Sequence, residues 1–263
     1  MVIELYPNLI LKVISGLLSI VFFVTIYFVG FLVLKAVMII MGYMGRADMK
    51  NVTQDITDKV MLCFSLGYLA TICLVFVAVK TIDSIMGRAL FITALVLVAN
   101  GLILTYVVRE RIISSLWAGL TKFITKYKNE GILFCIVILV MLTRIVVSGL
   151  FFNPDEIAYI LLTQEFFFRR SLAFPEYLHL SNVDMTAWAL KIGFILINSY
   201  YYPCIMVGGV TPLHIVSLLY TLYLVWISVK IFEPFVSDRR TVLLSIIMIG
   251  CNPVIVYYCI RIM

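Results

Sequence analysis

The stretch "LILKVISGLLSIVFFVTIYFVGFLVLKAVMIIM", from Leu9 to Met41, decides the fold class of this chain. A helix needs about 20 predominantly apolar residues to cross the hydrocarbon core of a bilayer, and this run exceeds that length. It is also too long for the apolar region of a cleavable signal peptide, it follows an acid at Glu4, and it lacks a small-residue cleavage site. We therefore predict a membrane-spanning helix here rather than a signal peptide.

The composition of the whole chain agrees with this prediction. Of 263 residues, 63% are hydrophobic and only 13% are charged, and the mean hydropathy is +1.12. Soluble domains are about half apolar and about a quarter charged, so the surplus apolar surface is expected to face lipid. The net charge of +6 is interpreted through loop topology. Since no basic stripe with interleaved aromatic residues occurs, we expect no nucleic-acid partner.

Further apolar runs predict an all-α fold, a polytopic transmembrane helical bundle with six spanning helices. A seventh stretch, Ala187–Val210, is interrupted by Lys191, Pro203 and a tyrosine cluster, which favours an interfacial or re-entrant position over a crossing. We therefore expect interfacial helices within one long external loop. The six predicted spans are Leu9–Met41, Val60–Val79, Ala89–Val108, Gly131–Phe152, Pro212–Ile231 and Thr241–Ile260.

Basic residues set the predicted orientation in the cell membrane, because short loops rich in lysine and arginine prefer the cytoplasm. With the basic loop 109–130 inside, the N-terminus and the loop Asn153–Thr211 lie outside. The basic residues that fix this orientation are Arg109, Arg111, Lys122, Lys126 and Lys128.

Two adjacent acids, Asp155 and Glu156, follow the fourth predicted span in the sequence "GLFFNPDEIAY". A purely structural explanation is available, since Asn153 suits a helix N-cap, Pro154 suits the first helical position, and acids favour the positive end of a helix. This explains why the acids are tolerated, but not why both lie at the mouth of a membrane bundle. A general base at the membrane surface is the functional interpretation.

Cationic residues near this motif are candidate ligands for an anion. Arg144 lies eleven residues before Asp155, roughly 16 Å along a helix, so it either snorkels or faces a wet or protein interior with a phosphate or carboxylate partner. Arg169, Arg170 and Lys191 are predicted to be external, against the positive-inside bias. They either contact ordinary headgroups or serve an anionic ligand such as a lipid phosphate.

The order of these features resembles the GT-C superfamily of membrane glycosyltransferases, which includes the protein mannosyltransferases and the aminoarabinose transferases. The similarity rests on the helix with a late arginine, the external "DEIAY" and the long loop with amphipathic helices. It continues through "GGVTPLHIVSLLYTLYLVWISVKIF" and "DRRTVLLSIIMIGCNPVIVYYCIRIM", which look like the second and third core helices. It covers Gly131 to Met263, about half of the chain.

This resemblance implies a hexosyl- or pentosyltransferase that takes a sugar from a polyprenyl-phosphate donor at the outer face of the membrane. Asp155 would act as general base on the acceptor or help to hold a divalent cation, with Glu156 beside it in the same motif. The residues implied in substrate binding are Arg144, Tyr159, Arg169, Arg170 and Lys191.

The resemblance also predicts how the chain is divided. Residues 1–108 would form a three-helix membrane extension, 109–130 a basic cytoplasmic loop, and 131–263 a GT-C-like module. The family continues beyond its third core helix, so the module is expected to be only the N-terminal part, completed by further sequence or by a second chain.

Two other interpretations remain open at this stage. The protein is alternatively a non-catalytic membrane subunit or degenerate relative in which "NPDE" is only a helix cap. A transporter is the third possibility, although we find no internal repeat and the acids are predicted at the surface rather than at the midplane.

Overall fold

A computed structural model of the protein describes residues 9–43, 56–109, 154–171 and 192–232, with isolated positions at 131, 135, 139, 235, 238, 241, 244, 245 and 248. The residues described are almost entirely helical, and no strand occurs among them. We number their helices along the chain as α1 (Leu9–Tyr43), α2 (Ile56–Thr81), α3 (Ile85–Arg109), α4 (Pro154–Arg169), α5 (Ile192–Tyr200), α6 (Tyr202–Gly208) and α7 (Thr211–Phe232).

Four helices are long and apolar enough to cross a membrane: Leu9–Ile40, Val60–Thr81, Ile85–Tyr106 and Thr211–Ser228. They confirm four of the six predicted spans to within a few residues at each end. The remaining two predictions, Gly131–Phe152 and Thr241–Ile260, fall mostly outside the described residues. The described residues therefore form a helical protein with four candidate membrane spans, while the count of six spans stays a prediction.

The described residues divide into two compact units. The first contains those of residues 1–100 and 154–213, and the second those of 101–153 and 214–262. In the second unit, Tyr223 and Trp226 lie one helical turn apart on α7 with their ring centroids 6.0 Å apart. The first unit holds α4, and with it the predicted acids.

Helices α1 and α2 pack closely in the first unit because each has a glycine at the crossing. A Cβ atom added at Gly30 would overlap the backbone carbonyl of Cys63, and one added at Gly67 would overlap the carbonyl of Ile26. Small residues allow membrane helices to approach until their backbones touch, which strengthens van der Waals packing where no hydrophobic effect drives association. Helix α3 is joined to α1 by a hydrogen bond, in which Asn100 Nδ2 donates to Thr25 Oγ1 at 2.6 Å.

Helices α5 and α6 follow one another within the predicted stretch Ala187–Val210. They are separated at Tyr201, two residues before Pro203, and Tyr200, Tyr201 and Tyr202 are all buried. Tyr200 donates a hydrogen bond from Oη to the carbonyl of Phe22 on α1, at 3.1 Å. Each helix is too short to span a bilayer by itself, and the predicted interfacial or re-entrant position stays a prediction.

The glycine crossing yields the first test. Gly30→Ala should lower the free energy of unfolding by about 1–3 kcal/mol, as expected when an extra carbon is forced into a close packing. Gly101→Ala is the matched control, because a Cβ atom there would meet nothing within 4 Å and alanine favours a helix. Thermal unfolding of both variants in detergent measures the difference, and equal melting temperatures would contradict the close approach.

Candidate functional site at the two ends of α4

The predicted catalytic acids lie at the start of α4. This helix begins at Pro154, which confirms the helix start predicted from "NPDE". Asp155 and Glu156 therefore occupy its first turn, and Tyr159 follows one turn later on the same helix. Backbone N–H groups of a first helical turn carry partial positive charge, which favours the ionised form of acids placed there.

The predicted cationic residues lie at the other end of the same helix. Arg169 is its last residue and Arg170 follows it directly, so about 20 Å of helical rise separates these arginines from the acids. The structure therefore does not bring the two predicted groups together. Arg144 and Lys191 lie outside the described residues, and their parts in a site stay predictions.

A buried arginine that the sequence analysis did not single out fixes the C-terminal end of α4. Arg88, in the first turn of α3, is only 1% exposed. Its Nη1 atom donates to the carbonyl of Phe167 and to that of Phe168 at 3.3 Å. Because the last carbonyls of a helix have no partner within the helix, a guanidinium at this place satisfies them and balances the negative end of the helix.

The same guanidinium also holds the turn between α2 and α3. Arg88 Nε donates to the carbonyl of Ile82 at 2.7 Å, and Nη2 donates to the carbonyl of Asp83 at 2.9 Å. One side chain thus links the turn 82–84 to the end of α4. A buried charge is tolerated in a membrane protein when its N–H groups are hydrogen-bonded in this way.

Arg170 closes α4 in a left-handed conformation, with φ of 61°. Its N–H donates to the carbonyl of Phe166 at 2.9 Å, which is the αL type of C-cap in which glycine is usual. Two contacts stabilise Arg170 in this conformation, one through its side chain and one through its carbonyl. Its Nη2 atom donates to Oδ1 of Asp83, and its carbonyl accepts a hydrogen bond from Nζ of Lys80 at 2.6 Å.

Aromatic side chains complete the attachment of α4. Phe166 and Phe167 are fully buried. Phe167 stacks on Tyr202 of α6 with ring centroids 4.2 Å apart, and Phe166 stacks on Phe76 of α2 with centroids 6.3 Å apart. The C-terminal half of α4 is therefore held by apolar contacts as well as by hydrogen bonds.

The exposed carboxylate of Asp83 depends on Arg170. The hydrogen bond from Arg170, followed by the charge of its guanidinium, holds the pKa of Asp83 below the ordinary value of 3.8. The side chain of Asp83 is 92% exposed and that of Arg170 is 31% exposed, so solvent screens the pair strongly. The pair therefore fixes the position of the two segments and contributes only a little to the stability of the fold.

The structure provides no metal site among the described residues. No group of three or more histidine, cysteine, aspartate or glutamate side chains lies together in those parts of the chain. The divalent cation that the resemblance allows therefore stays a prediction about residues 155 and 156, whose side chains are outside that description.

Comparisons with protein-family models, with curated proteins and with solved structures gave no match for this chain. The resemblance to GT-C enzymes therefore rests on the order of its sequence features alone.

Sequence reasoning missed Arg88 because it placed the start of the third span at Ala89, one residue later. In the structure α3 begins at Ile85, so the arginine belongs to a candidate span. The available signal was the short "KTIDSIMGR" between two apolar runs, in which Lys80, Asp83 and Arg88 are close in sequence.

Arg88 should be the most important polar residue for stability in the described part of the first unit. Arg88→Met removes a buried guanidinium and the donors of four backbone carbonyls, so we expect the free energy of unfolding to fall by at least about 3 kcal/mol. Arg169→Met is the matched control, since the side chain of Arg169 is 68% exposed and, among the described residues, forms an ion pair with Glu165 at 3.5 Å. Its cost should stay within about 1 kcal/mol. Similar melting temperatures for the two variants would disprove the role of Arg88.

The pair of Asp83 and Arg170 predicts an acid dependence with a definite sign. Because the folded-state pKa of Asp83 is lowered, the pair stabilises the fold above the unfolded-state pKa, and this contribution is lost as pH falls through the folded-state pKa. Melting temperatures of the wild type and of Asp83→Asn should therefore differ by a constant amount between pH 7 and about pH 5. The difference should disappear under more acidic conditions. A difference that stayed constant or grew on acidification would contradict the ion pair.

Proposed function

We propose that this protein is a glycosyltransferase, or the N-terminal part of one, that uses a polyprenyl-phosphate-linked sugar at the outer face of the membrane. The single observation that carries the proposal is α4. Its first turn holds two adjacent acids, its last turn is fixed by a buried arginine, and it belongs to a chain with four candidate membrane spans. A general base must be held in a fixed position relative to its substrate, and a helix attached at one end in this way can hold it there.

Asp155 is the proposed general base. A carboxylate within hydrogen-bonding distance of an acceptor hydroxyl removes its proton as the oxygen attacks the anomeric carbon of the donor sugar. In the same step the bond between the anomeric carbon and the phosphate oxygen breaks, and the polyprenyl phosphate leaves with both bonding electrons. An inverting transfer of this type needs one base and no covalent sugar–enzyme intermediate.

The leaving phosphate needs a cation near the reacting atoms. Arg169 and Arg170 lie about 20 Å of helical rise from Asp155, and Arg170 is engaged with Asp83. We therefore favour Arg144 or Lys191 for this role, both proposed from the sequence. Glu156 and Tyr159 share the acid-bearing end of α4, where they would orient the acceptor or the sugar.

The decisive test replaces the base. Membranes containing the protein, in its full natural length, are incubated with radiolabelled polyprenyl-phosphate mannose, glucose and arabinose, and incorporation into acceptors is measured. Asp155→Asn should lower the rate by at least about 100-fold, the usual contribution of general base catalysis. Asp238→Asn is the matched control, because the substitution is the same and Asp238 lies in the short segment between the predicted spans Pro212–Ile231 and Thr241–Ile260.

A helix-cap role for "NPDE" makes a different prediction. If the motif is only structural, Asn153→Ala lowers stability by about 1 kcal/mol, and Asp155→Asn leaves transfer unchanged. Transfer that survives Asp155→Asn in a correctly inserted protein would overturn the proposed function. In that case the non-catalytic interpretation would replace it.

A further inference from the structure

The contacts around Arg88 leave an excess of positive charge at the turn between α2 and α3. We call the six residues involved the turn cluster: Lys80, Asp83, Arg88, Glu165, Arg169 and Arg170. The cluster has four cations and two carboxylates. Two helix C-termini and one helix N-terminus reduce this surplus to about +1.5, at about half a charge for each end.

The cluster lies where two candidate spans end. Thr81 ends one span and Ile85 begins the next, so the turn between them is at the level of the lipid headgroups. Large apolar side chains continue from the turn along both helices, since Val77, Met86 and Leu90 are each more than half exposed. In a membrane-spanning bundle such side chains contact acyl chains, so a lipid bound there presents its phosphate at the height of the cluster.

The cations of the cluster differ in what they already bind. Arg88 is buried and engaged with four backbone carbonyls. Lys80 is exposed, and among the described residues its ammonium makes one hydrogen bond, to the carbonyl of Arg170, although it has three donors. Arg169 is 68% exposed, with its Nε atom 3.5 Å from Glu165. Lys80 and Arg169 thus retain donors that can reach an external anion.

We propose that the turn cluster is a binding site for the phosphate group of a membrane lipid, with Lys80 and Arg169 as the contacting residues. Arg88 and Arg170 hold the two segments that present them. The inference does not rest on the proposed glycosyl transfer, because it assigns no reaction to the lipid. It concerns retention of a lipid at the α2–α3 turn, about 20 Å of helical rise away from the acids of α4.

Lipid binding to the purified chain in phosphatidylcholine nanodiscs provides the test. One set of discs contains phosphatidylglycerol, a phosphodiester, and another contains a polyprenyl phosphate, a phosphomonoester. Native mass spectrometry measures the affinity for each added lipid. Each cation near an anionic lipid contributes about five-fold in affinity, so Lys80→Gln with Arg169→Gln should weaken binding about 25-fold.

The matched control removes the same charge elsewhere. Lys12→Gln with Lys35→Gln acts on α1, where the ammonium of Lys35 lies 5.7 Å from the ring centroid of Phe31, much as Lys80 lies 6.0 Å from that of Phe166. This variant should change the affinity by less than about two-fold, because its charges lie outside the cluster. Arg169→Gln alone should lower the affinity for the added lipid about five-fold, and this variant leaves the hydrogen bond of Lys80 in place.

The two lipids identify the source of the phosphate. A loss confined to the polyprenyl phosphate supports the site with a carrier lipid as its ligand, a loss confined to phosphatidylglycerol supports it with a bulk phospholipid, and a loss for both supports a site for either. Affinity that is unchanged in the double variant, or reduced equally in the control, overturns the inference.

Discussion

The described first unit depends on one requirement: the backbone carbonyls at the end of α4 and in the α2–α3 turn need hydrogen-bond donors. The last carbonyls of α4 and those of the α2–α3 turn lie close together, and the carbonyls at the helix end have no partner within the helix. Arg88 meets this need with a single side chain that reaches both segments. Because a guanidinium has five donors in a fixed plane, it can serve several carbonyls at once, which the ammonium of lysine cannot do with the same geometry. The arginine at position 88 therefore attaches the C-terminal end of α4 to the α2–α3 turn.

Features that depend on local sequence were predictable, and features that depend on distant contacts were not. The spans of α1, α2, α3 and α7 follow from long apolar runs, and the start of α4 follows from Pro154, because each of these signals acts within one segment. The pairing of Arg88 with Phe167 joins residues 79 positions apart, which no local pattern encodes. The separation of Asp155 from Arg169 could have been predicted from the sequence, since residues at opposite ends of one helix cannot meet.

Helix α4 separates two kinds of chemistry that the sequence analysis had combined into one site. Its first turn carries acids and suits proton transfer, while its last turn lies among cations and suits an anionic headgroup. A rigid helix keeps these regions at a fixed spacing, so lipid retention and catalysis would be properties of different ends. The adjacent Arg169 and Arg170 also differ in task, because one is exposed and the other serves as the C-cap of the helix.

The length of α1 has a consequence for where this protein can reside. Its apolar span of 32 residues is about 48 Å long, whereas the hydrocarbon core is about 30 Å thick. Even the steepest tilts observed, near 40°, leave a projected length of about 37 Å. Lys12 and Lys35 lie within this span, however, and the 22 residues between them are about 33 Å long, which matches the hydrocarbon core when both ammonium groups lie among the headgroups. A much thicker bilayer would draw one of these lysines into its hydrocarbon core, so the spacing of the two charges, rather than the full length of α1, limits where the protein can reside.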